Sequence, residues 1–378
     1  MASIYKTPGV YRQEIFLKPE TLLPTGVPGF VGFANMGSQG GPEFNTPVAL
    51  HRKEECAAHF GSRPESYLGD AITGFFENGG GRCYVVRADA SGDRVAALQR
   101  ALAALAPLDD LDLVLVPDAM SPGLTNDQSV QVQREMLVHC AAQGNRLAIL
   151  DAWPHSLPAR VLAQRDQLTI GQAEPVNGAL YYPWLRTVGG RLVPPCGHVA
   201  GIFARSDARV GVFKAPANAE VFGVFDLETD INNSIQDQLN PAGVNCLRAF
   251  PGRGIRVWGA RTLSHDPAWR YISVRRLVLT LRRWIDLHMV WATFEPNEPR
   301  LWVRIQRELT TYLTKLLRDG ALKGATPEEA FYVKCNAETN PPDQRDVGQV
   351  VTEIGLAPLV PAEFIVVRII HRGGDDGN

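Results

Sequence analysis

No stretch of this 378-residue chain approaches the roughly 18 consecutive apolar residues that a membrane span needs, so direct membrane insertion is not expected. The six cysteines (Cys56, Cys83, Cys140, Cys196, Cys246, Cys335) stand singly, with no CxxC and no tight framework. In so long a chain they imply reduced, mostly buried thiols. The opening MASIYKTPGVYRQEI lacks the basic start and apolar run of a secretory leader. Leaving a cell would then take lysis or incorporation into a particle. The formal charge is only −2 and the pI is near 6.5, which argues against a general nucleic-acid binder.

Signatures of chemistry are also missing. There is no GxxxxGK[ST] loop, and Lys323-Gly324 has the wrong order for a phosphate cradle. Gly252-Arg-Gly254 lacks the third glycine of a dinucleotide fingerprint, and no GxSxG occurs. Cys196-Gly-His198 and His139-Cys140 complete no tetrahedral zinc spacing. The triplet Gly79-Gly80-Gly81 precedes a strand, so it stops a helix and does not open one around a phosphate. Asp118, Asp151 and Glu174 fall near proposed parallel strands, the first two at the ends where α/β enzymes place active residues. No nucleophile or metal set accompanies them, and His139, His155 and His198 sit in no protease motif. No catalytic residue, cofactor or metal ligand is expected; an α/β hydrolase-type enzyme remains the alternative.

What is present is a regular alternation. Strands are expected at Phe30–Phe33, Cys83–Arg87, Leu113–Val116, Leu147–Leu150 and Ala179–Tyr182. Helices are expected at Lys53–Phe60, Tyr67–Asn78, Asp93–Ala106, Asp127–Ala142 and Leu157–Gln167. Nearly continuous apolar strands separated by amphipathic helices indicate a mostly parallel sheet covered on both faces. Further on, His198–Arg205 and Thr229–Leu239 are expected to be helical. Thr326–Glu329 has the form of a capping box, Phe331–Lys334 that of a strand, and Asn336–Asp346 that of a polar loop. Val350–Ile354 and Glu363–Ile370 are β-rich. Val10–Leu17 alternates like a strand between prolines. It is either an edge of this chain's own sheet or an arm adding a strand to another copy.

Between Arg248 and Asp319 there are 14 Lys/Arg against 6 Asp/Glu, which implies an acidic partner or a solvated face with internal ion pairs. Arg275 and Arg276 recur as Arg282 and Arg283 seven residues later, on one side of a helix two turns apart. From Pro299 to Gly320 a second helix carries an apolar stripe (Leu301, Ile305, Leu309, Tyr312, Leu313, Leu316) and a basic one (Arg304, Arg307, Lys315, Arg318). Trp284, Trp291 and Trp302 lie near the basic stripe but at core spacing, so nucleic-acid binding through these helices is the weaker alternative.

The same block resembles the C-terminal half of contractile-tail sheath proteins of phages, phage-tail-like bacteriocins and extracellular injection particles. The resemblance is carried by Asn240-Pro-Ala-Gly-Val-Asn245, Gly254-Ile-Arg-Val-Trp-Gly-Ala-Arg-Thr262, Arg275-Arg276 and Phe294-Glu-Pro-Asn297. Gly320-Ala-Leu-Lys-Gly324, Val333-Lys-Cys-Asn336 and Asn340-Pro341 add to it. It implies a structural, non-catalytic subunit that stacks with copies of itself into a helical sleeve, with an inner tube protein, baseplate and terminal cap proteins as further partners. Assembly in the bacterial cytoplasm, as part of a phage tail or a released particle, goes with it.

The implied fold is α/β: a central mostly parallel sheet domain, subtilisin-like in fold, plus an α+β C-terminal domain with strand-exchanging arms at both ends. The expected division is 1–24 (arm), 25–90 (an α+β segment packing with the C-terminal domain), 91–245 (α/β domain), 246–372 (tube-facing, strand-accepting domain) and 373–378 (loose tail). Strand exchange is expected at Val10, Tyr11, Arg12, Gln13, Glu14, Ile15 and Phe16. Its other positions are Val351, Thr352 and Glu353, and Phe364, Ile365, Val366, Val367, Arg368 and Ile369. Lys315, Arg318 and Lys323 are expected to face the tube. The four paired arginines could equally face neighbouring subunits.

Overall fold

The computed structural model describes residues 23–364 except 39 and 172–174. The strand expected over 10–17 and most of that over 363–370 lie outside the described residues. In chain order come β1 (Pro28–Phe33), β2 (Asn35–Met36), β3 (Pro47–Leu50), α1 (Lys53–His59), β4 (Phe60–Gly61), α2 (Leu68–Glu77) and β5 (Cys83–Ala88). Alternation follows through α3 (Arg94–Ala103), β6 (Leu113–Leu115), α4 (Asn126–Gln143), β7 (Leu147–Asp151), α5 (Pro158–Thr169) and β8 (Gly178–Tyr182). Next are β9 (Leu185–Thr187), β10 (Leu192–Val193), α6 (Cys196–Arg209), β11 (Val224–Leu227), α7 (Asn233–Leu239), β12 (Val244–Phe250) and β13 (Gly254–Trp258). The remainder is α8 (Ile272–His288), α9 (Pro299–Arg318), α10 (Pro327–Ala330), β14 (Phe331–Lys334), α11 (Pro342–Asp346) and β15 (Glu353–Leu356).

Eight strands form one sheet in the order β13-β12-β8-β7-β6-β1-β5-β3. The six inner strands are parallel, and β13 and β3 are antiparallel edges. Successive residues point to opposite faces. Val31, Val86, Val114, Leu150 and Leu180 meet Leu98 of α3, Met136 of α4 and Val161 of α5. Phe30, Val85, Leu113, Ile149 and Tyr181 meet Ile72 and Phe75 of α2 and Phe203 of α6. Each such side chain contributes about 1.5–3 kcal/mol by leaving water. Local signals agree with the packing: the Asp93 side chain caps α3, Thr125 and Gln128 cap α4 reciprocally, and Gly144 ends α4 at φ 64°.

The sheet runs through both boundaries expected around the α/β unit. It takes β1, β3 and β5 from residues 25–90 and β12 and β13 from across position 245. The helix expected at His198–Arg205 is longer, and the one expected from Thr229 starts only at Asn233, capped by Asn232. The capping box expected at Thr326 does not form; Glu329 instead accepts from Ala325 N at 2.8 Å. The loop expected at Asn336–Asp346 contains α11.

The strand expected over Val350–Ile354 begins only at Glu353. Asn340 explains the shift. Its side chain accepts from Val351 N at 2.6 Å and donates to Val351 O at 3.0 Å, standing in for a strand partner. β14 and β15 pair antiparallel as a separate two-stranded sheet beside α9, where Gln306 donates to Val333 O at 2.7 Å. Trp284 of α8 stacks on Tyr312 of α9 with ring centroids 4.1 Å apart. Leu301, Ile305, Leu309 and Leu313 are buried as expected.

Candidate functional site: arginine clamps and the basic helix face

The sheet order changes direction between β1 and β6, and α/β proteins bind ligands in the crevice at such a point. Here Asp118 fills it. Its carboxylate accepts from Phe33 N and Tyr67 N, both at 2.6 Å, from Ser66 Oγ at 2.7 Å and from Ser121 Oγ at 2.9 Å. Burial pushes its pKa up against these bonds. Asp151 accepts from Cys196 N at 2.9 Å, and burial pushes it up to about 7. Burial pushes His198 down to about 4, and does the same to His139 with help from Arg146. Asp118 and Asp151 therefore pin loops and a helix start. Glu174 lies outside the described residues. Among the described residues, no group of three or more His, Cys, Asp or Glu side chains could hold a metal ion.

A first clamp closes on the chain just before β1. Asp112, at the entry to β6, accepts from Val27 N at 2.7 Å and Gly26 N at 3.1 Å. It also accepts from Arg276 of α8 at 2.7 Å, and Arg276 reaches both oxygens of Asp207 at 2.7 and 2.5 Å. Burial disfavours the Arg276 charge, but the two carboxylates outweigh it and hold the guanidinium protonated. Burial raises the pKa of Asp207, with Arg276 opposing. Two turns along the same face of α8, Arg283 donates to Pro24 O at 2.8 Å. Gly26 has φ +67°, and a Cβ there would lie 2.5 Å from Ala204 Cα.

Arg276 and Arg283 are thus buried inside the subunit and do not face neighbours. Arg275 donates to Asn177 Oδ1 at 3.0 and 2.8 Å, and Arg282 is exposed. The sequence displays the arginine pairs but hides their partners. Asp112 heads an apolar strand 164 positions from Arg276, and Asp207 lies within a helix 69 positions away.

A second clamp holds the end of the described chain. Arg261 N donates to Asn245 Oδ1 at 2.7 Å, and Asn245 Nδ2 donates to Arg261 O at 2.8 Å. The Arg261 guanidinium reaches Asn240 O at 3.0 Å and grips Glu363 with two donors, one at 3.0 Å. The bonds to Glu363 raise the arginine's pKa. Asn240, Asn245 and Arg261, separate in the quoted motifs, meet here.

On α9, Lys315 and Arg318 are exposed, as is Lys323 beyond the helix. Arg307 and Arg318 line a shallow groove of about 500 Å³ with Val303, Thr310, Thr311 and Thr314. Arg304 of the expected basic stripe is also exposed; it lies over the Trp291 ring, 3.6 Å from the centroid, and pairs with Glu308 at 3.5 Å. Of the expected strand-exchange positions, Glu353 is in β15 and accepts from the Tyr332 hydroxyl. Val351 is tied to Asn340, Thr352 precedes β15, and Phe364 is 77% exposed. Residues 10–16 and 365–369 lie outside the described residues.

Two family models tile most of this chain, the phage tail sheath protein central domain over residues 96–263 and the phage tail sheath C-terminal domain over 264–372. The chain belongs to the phage tail sheath family. A prophage major tail sheath protein of Pseudomonas aeruginosa (strain UCBPP-PA14) is 25% identical to this sheath-family chain over 344 residues, 86% of each. Among solved structures, the anti-feeding prophage (AFP) helical sheath in the contracted state matches with TM-score 0.75 at 28% identity, over 97% of this chain and 99% of that one. The PVC sheath complex of an extracellular contractile injection system, in the contracted state, matches with TM-score 0.76 at 26% identity, over 98% of each. The chain spans 27% of the length of the Vibrio phage KVP40 tail sheath protein and 46% of that of Burkholderia phage BcepMu.

Proposed function

We propose that this chain is the structural sheath subunit of a contractile, phage-tail-like injection particle. Copies stack into a helical sleeve around an inner tube, and the sleeve shortens to drive the tube through a target envelope. The observation that carries the proposal is the sheath-family match over 96–372, joined to fold agreement with contractile sheaths along nearly the whole chain. Identical heterologous contacts generate an open helix without closing symmetry. The family likeness favours a subtilisin-like, non-catalytic α/β unit, assembly in the cytoplasm, and baseplate, tube and cap proteins as partners. Negative-stain microscopy of the purified chain should show tubular sleeves. Monodisperse monomers with hydrolase turnover, or salt-sensitive retention of DNA, would replace this reading.

Contraction moves subunits as nearly rigid bodies, so most side-chain contacts between them break and re-form. Backbone pairing of a donated strand survives such motion, because its geometry is local and directional. Residues 10–16 are the proposed donor, with 351–353 and 364–369 of neighbours as hosts and 18–28 as the joint. The two-stranded β14–β15 sheet supports this, since a pair that small is marginal without further strands. Deleting residues 1–18 should abolish long sleeves; normal sleeves would end the assignment. Lys315, Arg318 and Lys323 are proposed to meet acidic groups of the tube. Exposed pairs contribute about 0.2–1 kcal/mol each, which suits a contact that must release. Lys315→Glu with Arg318→Glu should uncouple sleeve from tube, and unchanged co-assembly would refute the placement.

A further inference from the structure

Arg283 is the odd member of the first clamp. Its guanidinium is buried; among the described residues its one bond goes to Pro24 O, and its Nε and Nη1 have no partner. Unmatched buried donors are rare in folded proteins and call for a cause. Arg283 belongs to a set of two carboxylates, Asp112 and Asp207, and two guanidiniums, Arg276 and Arg283, whose charges cancel. Burial lowers its pKa, and among the neighbouring charges Asp112 opposes that most. Asp112 is meanwhile committed to the amides of Gly26 and Val27 and to Arg276.

We propose that residues 24–27 form a releasable joint, and that Arg283 takes over the Asp112 carboxylate when they lift away. Among the described residues, one motion removes two amide donors from Asp112, the Thr25 side-chain bond from Asp207 and the acceptor of Arg283. The groups set free are opposite in charge, and both attach to the arginine-bearing side of α8. Lifting therefore leaves neither charge bare; it releases Val27 O from Asp112 N and Leu113 N at the head of the β1–β6 pairing, while the rest of the central sheet stays paired. The seat itself is specific, because Gly26 reaches it only at positive φ and against Ala204. Arg283 is a positioning residue on this account, and its role rests on the segment before residue 23 being shared between copies.

The test is amide hydrogen exchange at Gly26 and Val27 in the full-length subunit, comparing wild type with Arg283→Gln and Arg283→Lys. Glutamine can still donate to Pro24 O but cannot neutralise Asp112, so exchange should slow about tenfold. Lysine keeps the charge and should stay within about threefold of wild type. Unchanged or faster exchange in Arg283→Gln, as a purely structural tie to Pro24 would give, overturns the proposal, and so does tenfold slowing in Arg283→Lys. Amides of β7 serve as the folding control. If Arg283→Gln loosens them, Arg283→Lys decides alone: exchange within about threefold of wild type keeps the proposal, and about tenfold slowing overturns it. Sleeve formation is scored separately. Slowed exchange without sleeves fails the sheath reading and keeps the joint, whereas sleeves with unslowed exchange fail the joint alone.

Discussion

Arg276→Met removes the cation at the centre of the first clamp while keeping an apolar stem of similar length. It strands Asp112 and Asp207, whose side chains are only 6% and 1% exposed. Breaking a buried ion pair by deleting one partner costs about 3–5 kcal/mol. Asp112 would keep its two backbone donors but Asp207 would lose the partner of both its oxygens, so the upper half of that range applies. At an unfolding entropy of about 0.8 kcal/mol per kelvin for a chain of this size, the melting temperature should fall by about 5–6 °C.

The loss should also depend on pH, with a defined sign. Burial already holds the native pKa of Asp207 above its unfolded value, and losing Arg276 removes what opposes that. Between the unfolded and native values the folded chain binds more protons, so stability falls as pH rises through that window. Urea denaturation at pH 5 and pH 8 should show the larger deficit at pH 8. A triple variant that also carries Asp112→Asn and Asp207→Asn should recover most of it. A deficit below about 1 kcal/mol at pH 8, or one equal at both pH values, would refute the electrostatic account of the clamp.

Asp151, pushed up to about 7 when folded, should make the wild type lose stability as pH rises from about 4 to 7, on the order of 4 kcal/mol in total. Asp151→Asn should flatten that slope in urea titrations, and a slope equal to wild type would refute the shift. Gly26→Ala should cost roughly 2–4 kcal/mol in thermal melts, from the positive φ together with the approach to Ala204; a neutral substitution would mean that the seat is looser than drawn. The deletion of residues 1–18 and the charge reversals at Lys315 and Arg318 test assembly in the same spirit.

The parallel strands and their covering helices were readable because each obeys one period: LVL and the LAIL of β7 are apolar throughout, and α9 repeats every three to four residues. The edges of the sheet were not. β12 and β13 join it through pairings with β8 and with each other that no local pattern announces. Asn340 shows why the start of β15 was misplaced, since one amide side chain satisfied the backbone that a strand would have used. The clamps were half visible. Seven-residue spacing singled out Arg276 and Arg283, but a stripe of arginines reads the same whether it meets water or buried carboxylates.

Both clamps draw their arginines from residues 261–283, whereas what they fasten is the backbone at 24–27 and the side chain of Glu363. During synthesis Asp112 can hold Gly26 and Val27 early, but the arginine half of the first clamp is missing until the ribosome has passed α8, when about three quarters of the polypeptide exists. Nascent subunits on one message would carry a leading segment that is seated early and locked late. Order of translation thereby acts as a timer, delaying the lock until the body that must carry the segment has been built.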